Sequence, residues 1–571
     1  MRFCDESGWC IDLPTVQTLT EIEAQLSGPG GPFETEQRRV LGEPMAVFKY
    51  RPPSLVSMLR DSSAYGPIEY IVCDDLRITF EEHLRLVAST AATMKDRYDV
   101  GKGDRVAILA ANCPEWIVAF WATLSLGAIV VGLNGWWVHD EILYGLKDCD
   151  PKILIGDEKR LSRVKGESFD FAVIEIESGF SELCKAHPQA ELSEVDVGED
   201  DAATILYTSG TTGRPKGAVC THGNVVGTTR LQMFHGMRAM MLAAAEGADL
   251  SAGPTANCSL NTTPLFHVSG LYAGVVTSLA NGLKTVWTRG RFDAGRVMKL
   301  IATEQVTNWG PMGTMLHRII NHPDLGRYDL SSIRNLGSGG APMSADLQER
   351  ARQIFPNARR SLGLGYGLTE SSALATLNFG KELEEAPDSV GRPLPTVEIE
   401  IRDTNGQALG EGREGEIHIH GPVVMKEYWR RPRETAETIL AGRWLKTGDV
   451  GCIKNGLLYI ASRKRDLILR GGENVYPVEI EQCLEAHPGV KEAAVVGVDH
   501  EELGQEVKAI VVVEDQAPTA KELKDWAAQR LASFKVPAHW ELRTEALPRN
   551  ATGKVLKHVL VGAADNPFID D

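Results

Sequence analysis

Tyr207 to Gly217 reads YTSGTTGRPKG, a run of glycines and hydroxyls that ends in a cation. Gly210, Gly213 and Gly217 let the main chain bend and approach a ligand closely. Thr208, Ser209, Thr211 and Thr212 supply hydroxyls, and Lys216 supplies a fixed positive charge. Such a loop can surround phosphate oxygens with N–H groups, hydroxyls and an ammonium at once. The preceding ATIL at 203–206 is β-prone, and Thr221 and Asn224 open a helix. The spacing therefore places the loop between a strand and a helix, where anion sites recur. It is not a Walker loop, because the run from Gly210 ends in Pro215, Lys216 and Gly217 rather than G-K-[ST]. Taken alone, the same residues also describe a Gly/Thr surface turn.

With 571 residues and 43% hydrophobic content, the chain has material for large cores and for several domains. Its formal charge of −17 argues against a nucleic-acid binder, so an anionic ligand has to be drawn by local cations. Ten cysteines are scattered without a C-x-x-C pair, which fits reduced thiols and a cytoplasmic location better than a disulfide scaffold or zinc site. The opening MRFCDESGWCID is charged where a secretory signal needs an apolar core. Trp116 to Val138 holds no charged residue before His139 and Asp140, yet Gly127, Gly132, Asn134 and Gly135 interrupt it. We read it as a buried helix followed by a buried strand, and no transmembrane segment is expected.

The first 52 residues, with the amphipathic TLTEIEAQL, look like an extension without chemistry of its own. From Pro53 short apolar strands alternate with helical segments: YIVCDD, TFEEHLRLVASTAATM, RVAILA, PEWIVAFWATLSLG, AIVVGLN, DEILYGLKDC, KILIGD. That alternation predicts an α/β body of mainly parallel sheets covered by helices, with ligands beyond the carboxyl ends of the strands. After about residue 390 the chain turns strand-rich (EIEIRD, GEIHIHG, LLYIASR), as expected of a β-subdomain over about 390–464. Beyond the segment from Ala461 to Glu481 come a helix opening at Pro477, strands around EAAVVGV and AIVVVED, and the helix TAKELKDWAAQRLASF. These suffice for a small α+β domain.

Further stretches suit a nucleotide. GSGGAP at 337–342, with Gly339, Gly340 and Ala341, is a low-bulk turn against which a flat base can lie. Tyr366 to Glu370, YGLTE, offers a ring to stack, the Thr369 hydroxyl for a phosphate and the Glu370 carboxylate for Mg²⁺, with Gly365 and Gly367 beside them. Asp449 in WLKTGDVG can accept hydrogen bonds from two vicinal hydroxyls, although turn aspartates are common. His267 in PLFHVSG stands in an apolar run, where a histidine is more often a core residue than a catalyst.

The loop S-G-T-T-G-x-P-K-G, the pentad YGLTE, ASRKRD at 461–466 and LPRNATGK ending at Lys554 occur in one order. Together they resemble the adenylate-forming superfamily of acyl-CoA synthetases, firefly luciferases and peptide-synthetase adenylation domains, and are most similar to bacterial fatty-acyl-CoA synthetases. The resemblance runs from about residue 53 to Lys557. It implies a large body at 53–464 and a mobile domain at 465–571, hinged at Arg465. It further implies ATP, Mg²⁺ and CoA, with Thr208 and Glu370 at the metal. Asp449 and Arg463 would bind the ribose, Lys554 would bridge the substrate carboxylate and the α-phosphate, and Gly471 and Gly472 would line the pantetheine route. Ser462 replaces the usual glycine of that motif. His267 stands where peptide-synthetase domains carry an aspartate, so a substrate α-ammonium would go unpaired and a plain carboxylic acid is favoured.

The implied activity is carboxylic acid plus ATP to acyl-AMP and pyrophosphate, then CoA to acyl-CoA and AMP, on a medium- or long-chain fatty acid. A bulky ring acid, a luciferase-like oxygenation and β-lactone or amide formation remain alternatives, as does a non-enzymatic scaffold. The pocket for the acid should border His267, Trp309, Gly310, Met312, Gly339 and Gly365. A homodimer and peripheral membrane contact are both compatible with the sequence.

Overall fold

A computed structural model describes residues 2–4, 10–12, 18–208, 214–246, 257–340, 343–463, 466–470, 473–500, 503–513, 518–550 and 553–562, of which 2–4, 10–12, 462–463, 473–474 and 504 are described by backbone alone. The expected mixed α/β architecture is present, with a large N-terminal body and a smaller C-terminal α+β part.

One sheet of the body has seven strands. Its strands Arg105–Leu109, Ile129–Gly132, Ile153–Gly156, Ala172–Glu175 and Ala202–Thr208 are parallel. Ile129–Gly132 and Ile153–Gly156 are buried at every residue, as parallel strands covered on both faces must be. Helix Pro114–Ser125 opens with proline at its first turn and buries Trp116, Phe120 and Trp121. Each such ring contributes roughly 2–3 kcal/mol of burial. The charge-free stretch is thus a core helix and strand, and no helix among the described residues is long and apolar enough to cross a membrane.

The second sheet follows a path of 13 strands. Its centre, Glu69–Cys73, Lys284–Trp287, Cys258–Asn261, Asn308–Trp309, Asn335–Gly339 and Gly363–Tyr366, is parallel. From Gly363–Tyr366 the order turns antiparallel through Thr376–Phe379 and Ser389–Pro393 to Leu457–Arg463 and Leu445–Lys454. The strand-rich stretch after 390 therefore continues this sheet by hydrogen bonds instead of standing apart. Asp449 stands four strands along this path from the YGLTE strand, and its carboxylate is reached by the Tyr366 side chain.

At the N-terminus, Leu19–Ser27 is helical, with a capping box between Thr18 and Glu21. It packs on helix His222–Ala245, where Arg238 pairs with Glu23. The hairpin Thr35–Val40/Glu43–Phe48, which its polar first strand hides from a pattern reading, follows. The C-terminal part has a five-stranded sheet with helices Pro477–Glu485 and Ala520–Ala528. The second helix stops well short of the expected TAKELKDWAAQRLASF, and a short turn, Ser533–Lys535, precedes Pro537.

Candidate active site

Strand Ala202–Thr208 runs antiparallel to Lys216–Thr221, with Thr208 opposite Lys216. The glycine-rich loop therefore joins two strands. The expected strand–loop–helix order is corrected here: helix His222–Ala245 begins only after the second strand, capped by Thr221 with Asn224. Its N-terminus lies at the far end of that strand, so the helix dipole does not serve the loop. Ser209, Gly210, Thr211 and Thr212 lie outside the described residues, whereas Thr208 and Lys216 line the cavity at the loop's base.

The base of the loop is held by residues that the motifs did not single out. Tyr144 gives its hydroxyl to the Pro215 carbonyl at 2.9 Å. Asp148 accepts from Tyr207 Oη at 2.9 Å and from Arg431 Nη2 at 2.7 Å. The Trp429 amide donates to the Gly217 carbonyl at 2.7 Å, and Ala218 pairs with Tyr428 across the short strand Glu427–Tyr428. The only sequence signal for these residues is the aromatic-cationic run YWRR at 428–431, which lies more than 200 positions from the loop in the chain.

Strand Gly363–Tyr366 delivers the second motif. Gly367 is required, because a Cβ there would stand 2.2 Å from the Ala373 carbonyl oxygen. A single 3₁₀ turn, Thr369–Ser371, follows, and Ser372 and Ala373 leave it at φ of 52° and 92°. Met425 donates its amide to the Glu370 carbonyl at 2.8 Å, and Ser372 Oγ donates to the Val423 carbonyl at 2.8 Å. The turn thus presents Thr369 and Glu370 to the cavity. Tyr428 Oη donates to Glu370 Oε1 at 2.7 Å, while the Lys216 ammonium lies 4.4 Å from the centroid of the same ring. Burial and the neighbouring carboxylate raise the Tyr428 phenol well above its ordinary range, so it acts as a donor.

No group of three metal-binding side chains occurs among the described residues. One carboxylate on a cavity that would take a nucleotide's phosphates would suit Mg²⁺, which takes few protein ligands and completes its shell from substrate phosphate and water. Glu370 Oε2 has no hydrogen bond or ion pair among the described residues, so the donor set fits. Thr208 Oγ1 donates to the Lys216 carbonyl at 3.4 Å, a contact weak enough to be exchanged.

Tyr366 and Asp449 are both buried, and the Tyr366 hydroxyl donates to Asp449 Oδ2 at 2.8 Å. Asp449 pairs in the backbone ladder with Arg463, whose side chain lies outside the described residues. Gly339, Gly340, Gly365 and Gly367 line the cavity. Ala341, Arg465, Gly471 and Gly472 lie outside the described residues.

Lys554 stands on a tight turn, its amide donating to Asn550 Oδ1 at 2.9 Å and its carbonyl accepting from the Asn550 amide at 2.9 Å. Gly553, at φ 73°, presses this turn against the body, since a Cβ would come within 3.0 Å of Thr314 Oγ1 and 3.5 Å of Met312 Sδ. Lys554 thereby reaches the cavity lined by Thr208, Lys216, Thr369 and Glu370, which has a volume of about 2650 Å³.

The six residues expected to border the acid all line this cavity. His267 is neutral at physiological pH, its pKa pushed down to about 4 by burial, and its Nε2 is buried with no hydrogen-bond partner among the described residues. Gly337 and Gly339 share one sheet face and pair in register with Gly363 and Gly365, so the cavity floor there lacks side chains. Gly236, Ala239 and Ala243 of helix His222–Ala245 also line the cavity. The N-terminal segment, expected to carry no chemistry, adds Pro32 and Phe33 to the wall.

Residues 60–429 match the family described as AMP-binding enzyme, and residues 479–554 match the AMP-binding enzyme C-terminal domain. The long-chain-fatty-acid–CoA ligase of Bacillus subtilis (strain 168) is 32% identical over 550 residues, covering 89% of this chain and 94% of that protein. The 2-succinylbenzoate–CoA ligase of Bacillus licheniformis is 35% identical over 492 residues, covering 86% of this chain and 96% of its own length. Among solved structures, ATP-bound MatB from Rhodopseudomonas palustris superposes with a TM-score of 0.79 at 28% identity, covering 90% of this chain and 98% of that one. The motifs, the two matched models and this near full-length kinship make the chain a member of the AMP-binding enzyme family, the adenylate-forming superfamily, within its acid–thiol ligases.

Proposed function

We propose that the protein is an AMP-forming acyl-CoA synthetase for a medium- or long-chain fatty acid. The observation that carries this reading is the meeting of Lys554, from the C-terminal part, with Thr208, Lys216, Thr369 and Glu370 of the body around one cavity. In the first half-reaction a carboxylate oxygen attacks the α-phosphorus of ATP, the bond to the β-phosphate oxygen breaks, and acyl-AMP and pyrophosphate form. Lys554 neutralises charge shared by the carboxylate and the α-phosphate, where a fixed cation favours the transition state. Lys216 and the hydroxyls of the glycine-rich loop cover the phosphates that leave. Glu370, with Thr208, would hold Mg²⁺, which offsets the negative charge of the phosphates. Asp449 and Arg463 take the ribose hydroxyls, and Tyr366, tied to Asp449, faces the base.

In the second half-reaction the CoA thiol, losing its proton, attacks the acyl carbon and AMP leaves. A rotation of the C-terminal domain, residues 465–571, about Arg465 would carry Lys554 away and bring Gly471 and Gly472 to the pantetheine. Eight described cysteines are free thiols, which suits a reducing cytoplasmic setting.

The side-chain-free floor at Gly337, Gly339, Gly363 and Gly365 suits a thin alkyl chain. The kinship to a 2-succinylbenzoate ligase favours a second reading, a ring-bearing acid, in the same space. A panel of fatty and aryl acids scored by pyrophosphate release separates the two. Thioester should form only when CoA is added, and its absence with every acid would sink the CoA-ligase reading.

A further inference from the structure

Lys216 and Glu370, a cation and a carboxylate that both line the cavity, form no ion pair with each other; Tyr428 contacts both. Its hydroxyl donates to Glu370 Oε1 at 2.7 Å, and its ring face lies under the Lys216 ammonium, 4.4 Å from centroid to Nζ. The ring is 4% exposed, and the backbone on either side is fastened to both partners' segments. Ala218 pairs with Tyr428, the Trp429 amide donates to the Gly217 carbonyl at 2.7 Å, and the Met425 amide donates to the Glu370 carbonyl at 2.8 Å. A phenol in this place has two consequences. It occupies one carboxylate oxygen and so orients the other toward the cavity. It also keeps apart a lysine and a glutamate that would otherwise pair with each other at the cavity wall.

We infer that Tyr428 is a positioning residue that holds Glu370 ready for the divalent cation and keeps Lys216 available for phosphate. The inference rests on the adenylate-forming reading above, in which Glu370 meets the metal. Partners that orient a metal-ligating carboxylate are commonly worth ten- to a hundred-fold in metal affinity. The glycine-rich loop and YGLTE are thus coupled through a third segment, 425–429, that belongs to neither.

The test is a titration of Mn²⁺, followed by its paramagnetic resonance signal, into the full-length protein with non-cleavable α,β-methylene ATP and no acid. Wild type is compared with Y428F, Y428L, E370Q and the double variant Y428F/E370Q. Y428F, which keeps the ring over Lys216, should need roughly ten-fold more Mn²⁺ for half-saturation. Y428L should need more again, because Lys216 is then free to pair with Glu370. The double variant should be no weaker than E370Q alone. A Y428F curve that coincides with wild type, or a double variant whose loss is the product of the two single losses, overturns the assignment. If Y428L fails to fold, the Y428F and E370Q comparison still decides. Wild-type protein that binds Mn²⁺ and nucleotide but releases no pyrophosphate with any acid would count against the functional reading, and coincident Mn²⁺ curves with intact pyrophosphate release would count against Tyr428 alone.

Discussion

The Tyr366 hydroxyl donates to the Asp449 carboxylate across 2.8 Å, so the strand carrying YGLTE and the strand carrying TGDVG share a buried hydrogen bond. Asp449 is 4% exposed, and a carboxylate at that depth depends on its donors. Tyr366→Phe should cost about 1.5–3 kcal/mol of stability, the usual worth of a hydrogen bond to a charged group. If Asp449 takes the ribose as proposed, AMP binding should also weaken roughly ten-fold, since the carboxylate loses one of the donors that orient it. Urea midpoints and a calorimetric AMP titration measure both, and unchanged values in each would remove the coupling.

Lys554 reaches the cavity only because Gly553 allows the turn to sit on Met312 and Thr314. Lys554→Ala should lower acyl-AMP formation by about 10²–10³-fold, the scale for losing a charge-stabilising group. Thioester formation from supplied acyl-AMP should fall far less. Equal losses in the two half-reactions, assayed separately, would contradict a lysine that acts in one of them.

Asp148 ties Arg431 and Tyr207 to the base of the glycine-rich loop, and Arg431 Nη2 also donates to Tyr144 Oη at 3.0 Å. With its side chain 8% exposed, Asp148→Asn leaves Arg431 short of its counter-charge. We expect a loss of about 1–3 kcal/mol in urea unfolding. The KM for ATP should rise several-fold while the KM for the acid stays put. A variant whose acid KM shifts as much as its ATP KM would place the effect elsewhere.

His83 is fully buried against Tyr70, with neither ring nitrogen hydrogen-bonded among the described residues, and burial pushes its pKa from 6.5 down to about 3. The unfolded chain therefore takes up a proton below pH 6.5 that the folded chain refuses. Stability from this residue is complete above pH 6.5 and is lost as the pH falls toward 3. The penalty at pH 5 is about 2 kcal/mol. His83→Phe should flatten that part of the acid limb in urea midpoints taken between pH 8 and pH 5. An equally steep limb in the variant would assign the proton uptake to other groups.

Much of this was legible in the chain. The helix Pro114–Ser125 and the helix opening at Pro477 lie where the apolar run and the prolines place them. The six residues expected around the acid line one cavity, and Gly339 and Gly365 among them face it together because they pair in register on neighbouring parallel strands. The N-terminal segment was misjudged for a physical reason. Its hairpin is polar along one strand, and nothing local shows that Pro32 and Phe33 reach the cavity.

The sequence by itself determined the local chemistry: which hydroxyls, glycines, carboxylates and cations exist, in what order, and hence the superfamily. These are properties of short windows, and a window carries its own flexibility and charge wherever it folds. Only the tertiary structure decided that the glycine-rich loop joins two strands and so does without a helix N-terminus. It also decided that Tyr428 contacts both Lys216 and Glu370, and that Tyr144, Asp148 and Arg431 hold the loop from behind. Those contacts join residues more than 50 and up to about 280 positions apart in the chain, so no window contains both partners.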